Sequence, residues 1–137
     1  MKHTLDIRIY YEYTDAGGIV YNANYLNFAE RGRTEFLRDI GFQCSEVQKE
    51  LGLLFVVRKV TIDYLMTAKL DDLLQIVTSF KEIKNSSFVM QQTVMRDGEI
   101  ICDMEVVLVC VHEDGYKPTR LPEKIKDAFQ KFQETVE

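Results

Sequence analysis

One stretch of the chain has residue types and spacing suited to acyl-transfer chemistry: Tyr11-Glu-Tyr-Thr-Asp15-Ala-Gly-Gly-Ile-Val-Tyr-Asn22-Ala-Asn-Tyr25. Asp15 stands in a turn with Gly17 and Gly18, and a helical pattern begins soon after, at about Asn24. The first turn of a helix leaves backbone N–H groups unpaired and carries a partial positive charge. Such donors can hold a carbonyl oxygen as it becomes negative. A carboxylate beside them can attack the carbonyl or deprotonate a water. The plain alternative is that Asp15 only makes the turn, as Asp often does. Tyr11 is equally open: it could orient the acyl group or Asp15, or be a strand aromatic.

The elements around this stretch must position it. Residues 4–12 alternate, with Leu5, Ile7 and Ile9 on one face and Asp6, Arg8 and Tyr10 on the other, which predicts a half-buried strand. Tyr25, Phe28, Ala29, Gly32, Phe36 and Ile40 recur at helical spacing and predict a long helix from Asn24 to Ile40 with one broad apolar face. Asn22 or Asn24 can cap its start and Gly41 its end. Gly32 inside it costs about 1 kcal/mol relative to Ala. That cost is best explained by close approach of another backbone, such as a sheet wrapped around the helix. A short helix is expected from Ser45 to Leu51, ending at Gly52.

The character then changes. Residues 54–67, 73–84, 87–96 and 99–112 read as four long strands, with turns at Asn85-Ser86 and Asp97-Gly98. The last three must form an antiparallel meander. A final helix is expected from Pro122 to Thr135, carrying Ile125, Ala128, Phe129 and Phe132. The fold class is therefore α+β: one domain over residues 1–137, with a five-stranded antiparallel sheet curled around a long central helix and a C-terminal helix. The sheet's outer surface keeps apolar side chains and its edges are open, so a second copy would cover both.

Composition narrows the function classes. With 46% hydrophobic and 28% charged residues the chain is a folded globular protein. A net charge of −5 without Lys/Arg blocks argues against nucleic acid as a partner. No apolar run reaches the roughly 20 residues of a membrane span, and the charged N-terminus does not read as a signal peptide. Cys44, Cys102 and Cys110 match no metal motif, so reduced, structural thiols and a cytoplasmic location are expected.

Taken together, the residues resemble a known family. Tyr-Tyr-x-x-Thr-Asp15-Ala-Gly-Gly18-Ile-Val-Tyr-x-Ala-Asn-Tyr25-Leu followed by Glu30-Arg31-x-Arg33-Thr34-Glu35-Phe36 is similar to the 4-hydroxybenzoyl-CoA thioesterases of the hotdog fold. The branch it most resembles is the tol-pal-associated acyl-CoA thioesterases. Phe55-Val-Val-Arg58, Asp63-Tyr64-Leu, Ala68-Lys-Leu-Asp-Asp-Leu-Leu74 and Lys117-Pro-x-Arg120-Leu-Pro122 agree, so the resemblance spans nearly the whole chain. It implies hydrolysis of acyl-CoA thioesters without metal or organic cofactor, in a homodimer at least and often a homotetramer. It places the family's catalytic Asp on Asp15, its oxyanion contact on the Asn22 backbone N–H, and a further site residue on Tyr11. Gly18, Val20, Tyr21 and Tyr25 of the same motif are the expected substrate contacts. Arg58 and Lys59, with Lys69 and Lys84, are candidates for the CoA phosphates.

There is a departure: the branch usually has His at the position of Asn22, and related enzymes have Tyr. Asn cannot act as acid or base near neutral pH. Tyr13 likewise replaces a residue that is often acidic. The reading that follows is an acyl-CoA thioesterase with Asp15 as nucleophile or general base. Its alternative is a non-catalytic or very slow module binding acyl-CoA or acyl carrier protein. A hotdog dehydratase ranks last, because no His accompanies Asp15. Glu30 could support the site or be a solvated helix residue. Ser86 and Ser87 are weaker candidates, and His3 and His112 are read as structural.

Overall fold

The computed structural model describes residues 1–134. The alternating segments build one antiparallel sheet. β1 (His3–Arg8), β2 (Leu53–Tyr64), β3 (Leu73–Ile83), β4 (Ser87–Arg96) and β5 (Glu99–His112) lie in the order β1-β3-β4-β5-β2. The meander β3–β4–β5 forms as expected, with Ile76 opposite Val94 and Met90 opposite Val106. Asp97 (φ +52) and Gly98 (φ +81) make its second turn, the conformation that favours Asp-Gly in hairpins. β1 and β2 are the two edges.

The central helix α1 (Asn24–Asp39) lies across one face of the sheet and buries Tyr25, Phe28, Ala29, Gly32, Phe36 and Leu37. It ends in a Schellman-type turn: Gly41 sits at φ +102, its N–H donates to Arg38 O, and the Phe42 N–H donates to Leu37 O. α2 (Cys44–Leu51) stops at Gly52, also in a left-handed conformation. α3 (Glu123–Glu134) packs on the same side of the sheet as α1. Its Phe129 ring stacks on Phe80 at 4.6 Å and meets Phe88, Phe42 and Phe55 edge-on or tilted. Each such buried side chain stabilises by about 1.5–3 kcal/mol. Burial of these faces therefore holds the helices more than their caps do.

The structure corrects several expectations. The first strand stops at Arg8, because its partner β3 begins at Leu73 opposite it; beyond that point Tyr11–Tyr13 winds into a 3-10 turn. β2 ends at Tyr64 rather than residue 67, with the Leu65 and Met66 N–H groups both turning onto Ile101 O. Neither Asn22 nor Asn24 caps α1. Ala23 occupies the capping position without a side-chain bond, and Asn24 Nδ2 donates instead to Tyr13 O at 2.8 Å. Pro122 precedes α3 and accepts its first bonds, from Ile125 and Lys126. The expected end at Thr135 lies outside the described residues.

Gly32 is explained by side chains, not by a backbone. A Cβ there would lie 2.7 Å from Ile76 Cγ2, 3.0 Å from Thr78 Oγ1 and 3.2 Å from Gln92 Nε2. Thr78 and Gln92 are fully buried, and both are satisfied. Gln92 Nε2 donates to Ala29 O and to Thr78 Oγ1, and Gln92 Oε1 accepts from Arg33 Nη1 at 3.0 Å. This network keys the helix to one position on the sheet, since leaving any of these groups unpaired would cost about 1–3 kcal/mol.

Candidate active site

The motif stretch folds into a closed loop that feeds α1. Thr14 is bridged to Val20 across it, and the Asp15 N–H donates to Ile19 O at 2.9 Å. At its tip Asp15 makes an Asx turn: Oδ1 accepts from the Gly17 N–H at 2.8 Å. Gly18, at φ +82, bonds back to Asp15 O. The turn chemistry that Asp favours is thus present, and it uses only one carboxylate oxygen. Oδ2 has no hydrogen-bond partner among the described residues and faces an exposed loop surface. The carboxylate is held at one end and available at the other.

The loop is tied to the helix start through Tyr13. Its carbonyl accepts both the Tyr21 N–H and Asn24 Nδ2. Its ring meets Phe28 edge-on at 5.0 Å, and its hydroxyl accepts from Arg31 Nη1. The phenol at this position therefore engages a helix cation, where a carboxylate would have done so as an ion pair. The first turn of α1 is tight: Asn24, Tyr25 and Leu26 donate to Tyr21 O, Asn22 O and Ala23 O. The Asn22 N–H donates to no group among the described residues. It therefore leaves an unpaired donor at the positive end of a four-turn helix.

Tyr64, at the end of β2, completes this corner. Its hydroxyl donates to Asn22 O at 3.2 Å and its ring lies 5.8 Å from that of Tyr25. That bond polarises and fixes the peptide next to the free N–H. The sequence marks Tyr64 only through the Asp63-Tyr64-Leu segment that shares the family resemblance, not as part of the site. Tyr25 is 3% exposed, and burial, with Cys102 beside it, pushes its phenol up to about 12. It stays protonated and supports the helix start from below. Val20 is also buried, whereas Gly18 and Tyr21 are open to an incoming ligand. Tyr11 is on the loop but 79% exposed; its carbonyl accepts from the Thr14 N–H and hydroxyl.

Other expected residues lie elsewhere. Arg58 sits at the β-bulge of β2 with Lys59, exposed on the edge strand. At about 3.3 Å per residue, roughly 20 Å of strand separates Arg58 from Tyr64. His3 stacks on Phe36 with Nε2 2.7 Å from Asp39 Oδ2, at the end of α1 opposite Asn22. His112 pairs with Leu53 at the same far end. Burial raises Cys102 to about 12 and Cys110 to about 11, so both remain thiols. No imidazole or thiolate accompanies Asp15. Asp15 and the Asn22 N–H thus lie on one tied loop, the carboxylate with an unengaged oxygen and the amide unpaired among the described residues.

Known proteins resemble the chain over most of its length. Residues 10–129 match the thioesterase-like superfamily. The chain is 43% identical over 123 residues to the acyl-CoA thioesterase YbgC of Haemophilus influenzae, covering 90% of each. It is 41% identical over 125 residues to the acyl-CoA thioester hydrolase YbgC of Escherichia coli O157:H7, covering 90% of this chain and 92% of that one. A probable thioesterase from Bartonella henselae superposes with a TM-score of 0.85 at 36% identity, over 89% of this chain and all (100%) of that one. The 4-hydroxybenzoyl CoA thioesterase from Pseudomonas sp. strain CBS-3 superposes with a TM-score of 0.87 at 22% identity, over 93% and 98% of the two chains, a likeness of fold alone. The five-stranded sheet around a central helix is the hotdog fold, and the chain belongs to the thioesterase-like superfamily and, within it, to the family of the YbgC acyl-CoA thioesterases.

Proposed function

We propose that this protein hydrolyses acyl-CoA thioesters to the free acid and CoA, using Asp15 and the Asn22 backbone N–H. The observation that carries this reading is the free Asn22 N–H at the start of α1, on the same tied loop as a carboxylate with one unengaged oxygen. The thioester carbonyl lies against the Asn22 N–H. Asp15 Oδ2 then takes a proton from water, and the hydroxide adds to the carbonyl carbon. The oxyanion collapses, the C–S bond breaks, and CoA leaves as thiolate. In the nucleophilic variant Oδ2 itself adds, CoA leaves, and water hydrolyses the mixed anhydride.

Either route fits Asn at position 22. A thiol has a pKa near 8.5, so its thiolate leaves with about the stability of a weak acid's anion. It does not require a His to protonate it. Gly18 and Tyr21 line the approach, Tyr11 flanks it, and Val20 and Tyr25 support it from the core. We assign Arg58 and Lys59 to the CoA phosphates of a neighbouring copy's site, because in their own chain they lie far along β2. The minimal unit is then a homodimer, with a tetramer of two dimers as its larger form. Acyl carrier protein is a second thioester carrier that the same corner would accept.

The test is CoA release from a panel of acyl-CoAs, short to long plus 4-hydroxybenzoyl, by wild type and Asp15→Ala. Turnover that disappears in Asp15→Ala is the expected result. Equal inertness of both proteins on every substrate, with acyl-CoA still bound, would instead identify a thioester-binding module. A single turnover in 18O-water tests the nucleophilic route: label in the Asp15 carboxylate marks an anhydride opened at the Asp15 carbonyl carbon, whereas label in the product acid alone arises from direct attack by water or from an anhydride opened at its acyl carbon.

A further inference from the structure

Both ends of the loop that carries Asp15 are anchored on one surface turn, residues 67–72 between β2 and β3. On entry, the Ile9 N–H donates to Asp72 O and the Asp71 N–H to Ile9 O, both at 2.9 Å, while Arg8 Nη1 donates to Asp71 O at 2.8 Å. On exit, the Val20 N–H donates to Ala68 O at 2.8 Å and Ile19 is bridged to Lys69. Ile19 O is also the acceptor for the Asp15 N–H. The position of the carboxylate therefore follows the position of this turn. The turn is not relaxed: Asp71 is held at φ +73, where a non-glycine residue is strained.

What holds the turn is a pair of charged side chains. Asp72 Oδ2 accepts from the Lys69 N–H at 2.9 Å and from Arg96 Nη1 at 2.8 Å. Arg96 Nη1 also donates to Thr67 O at 2.9 Å. The guanidinium thus grips both ends of the turn. Arg96 is the last residue of β4, next to the Asp97-Gly98 hairpin, so it stands on a rigid support. The two side chains are only 21% and 17% exposed, so solvent screens the pair less than it would a surface pair. Burial by itself would raise the Asp72 carboxyl, but the Lys69 amide and the Arg96 guanidinium together hold it below the usual carboxylate range.

We propose that Arg96 and Asp72 are positioning residues for the hydrolysis: together they clamp the 67–72 turn to the β4–β5 hairpin and so fix Asp15 relative to the Asn22 N–H. This rests on the reading of Asp15 as the catalytic carboxylate. Neither residue has to touch the substrate. Misplacing a reacting group by about 1 Å can cost on the order of a hundredfold in rate, so a modest slackening of the turn is enough.

The experiment compares Arg96→Met, Arg96→Lys and Asp72→Asn with wild type and Asp15→Ala. An open cleft of about 380 Å³ beside the pair leaves the Met side chain room without overpacking. Arg96→Met should lower kcat at least about tenfold with KM within about threefold, as expected for lost positioning. Arg96→Lys should recover part of the loss, because the ammonium keeps the charge opposite Asp72 but not the planar guanidinium that seats one nitrogen between Asp72 and Thr67 O. Amide exchange at Asp15, Gly18 and Val20 should accelerate in Arg96→Met while that of β5 and α3 does not, which a purely global loss of stability would not produce. A kcat within about twofold of wild type, or unchanged exchange in the Asp15 loop, overturns the proposal. If Arg96→Met does not fold, Asp72→Asn keeps the shape and removes the charge, and the same two readouts decide. Wild-type turnover in Asp15→Ala would instead remove the catalytic reading itself, whereas loss there with an unaffected Arg96→Met would remove only the clamp.

Discussion

In the proposed mechanism, position 22 places the chemistry in a backbone atom. If the Asn22 N–H is the oxyanion donor, the side chain can be lost and the N–H cannot. Asn22→Ala should leave kcat within about threefold of wild type, because the amide side chain makes no hydrogen bond among the described residues. Asn22→Pro removes the N–H at the second position of the turn closed by the Asn24 N–H on Tyr21 O, where Pro is favoured. It should lower kcat by about a hundred- to a thousandfold, the usual loss for one oxyanion donor of about 2.7–4 kcal/mol. Steady-state kinetics on both variants, with thermal melts to confirm folding, checks this. An inactive Asn22→Ala would mean that the side chain, not the peptide, does the work.

At the scale of elements, the fit of α1 to the sheet is set by the absence of one side chain. Adding a Cβ at Gly32 gains about 1 kcal/mol of helix propensity. It also forces contacts of 2.7 Å with Ile76 Cγ2 and 3.0 Å with Thr78 Oγ1. Overpacking of this kind costs about 1–3 kcal/mol, and displacing Gln92 would break its bonds to Ala29 O and Arg33 as well. Gly32→Ala should therefore be net destabilising, by about 1–2 kcal/mol in urea unfolding. A more stable variant would show that helix and sheet separate more easily than this packing implies. This element also shows how far the sequence could be read. The 3.6-residue spacing of Tyr25, Phe28, Ala29 and Phe36 is enough to identify the buried face, and the Asp-Gly turn is enough to order the meander. The sequence could suggest that something approaches Gly32, but not that Thr78 and Gln92 are what fill the space, because polar residues at inward positions look like errors of period until their partners are known. The site divides in the same way. Asp15 and the start of α1 stand out because they are contiguous in sequence. Tyr64, Asp72 and Arg96 reach the same corner through tertiary contacts that neither periodicity nor turn chemistry reveals, and the end of β1 is set by where its partner strand begins.

For the whole molecule, the two edges of the sheet differ in a way that bears on activity. β1 is short, and Arg8 at its end bonds back to the 67–72 turn. β2 spans Leu53–Tyr64, and Val56, Val57 and Tyr64 on it are 37%, 47% and 47% exposed. Leu65 and Met66 continue the apolar surface. A long edge of this kind pairs readily with another strand. Because β2 ends on the Asn22 carbonyl, a second copy seated along it would also shield the corner at Asn22 from water and strengthen its electrostatics. Oligomeric state and turnover should therefore move together. A charge at the middle of the edge, Val57→Lys, should shift the protein toward monomer in sedimentation and lower activity per chain, since like charges would face each other across a two-fold axis. Raising the protein concentration should then restore both in parallel, as mass action requires. A Val57→Lys monomer with full activity at every concentration would show that one chain suffices, and would return Arg58 and Lys59 to the role of ordinary surface cations.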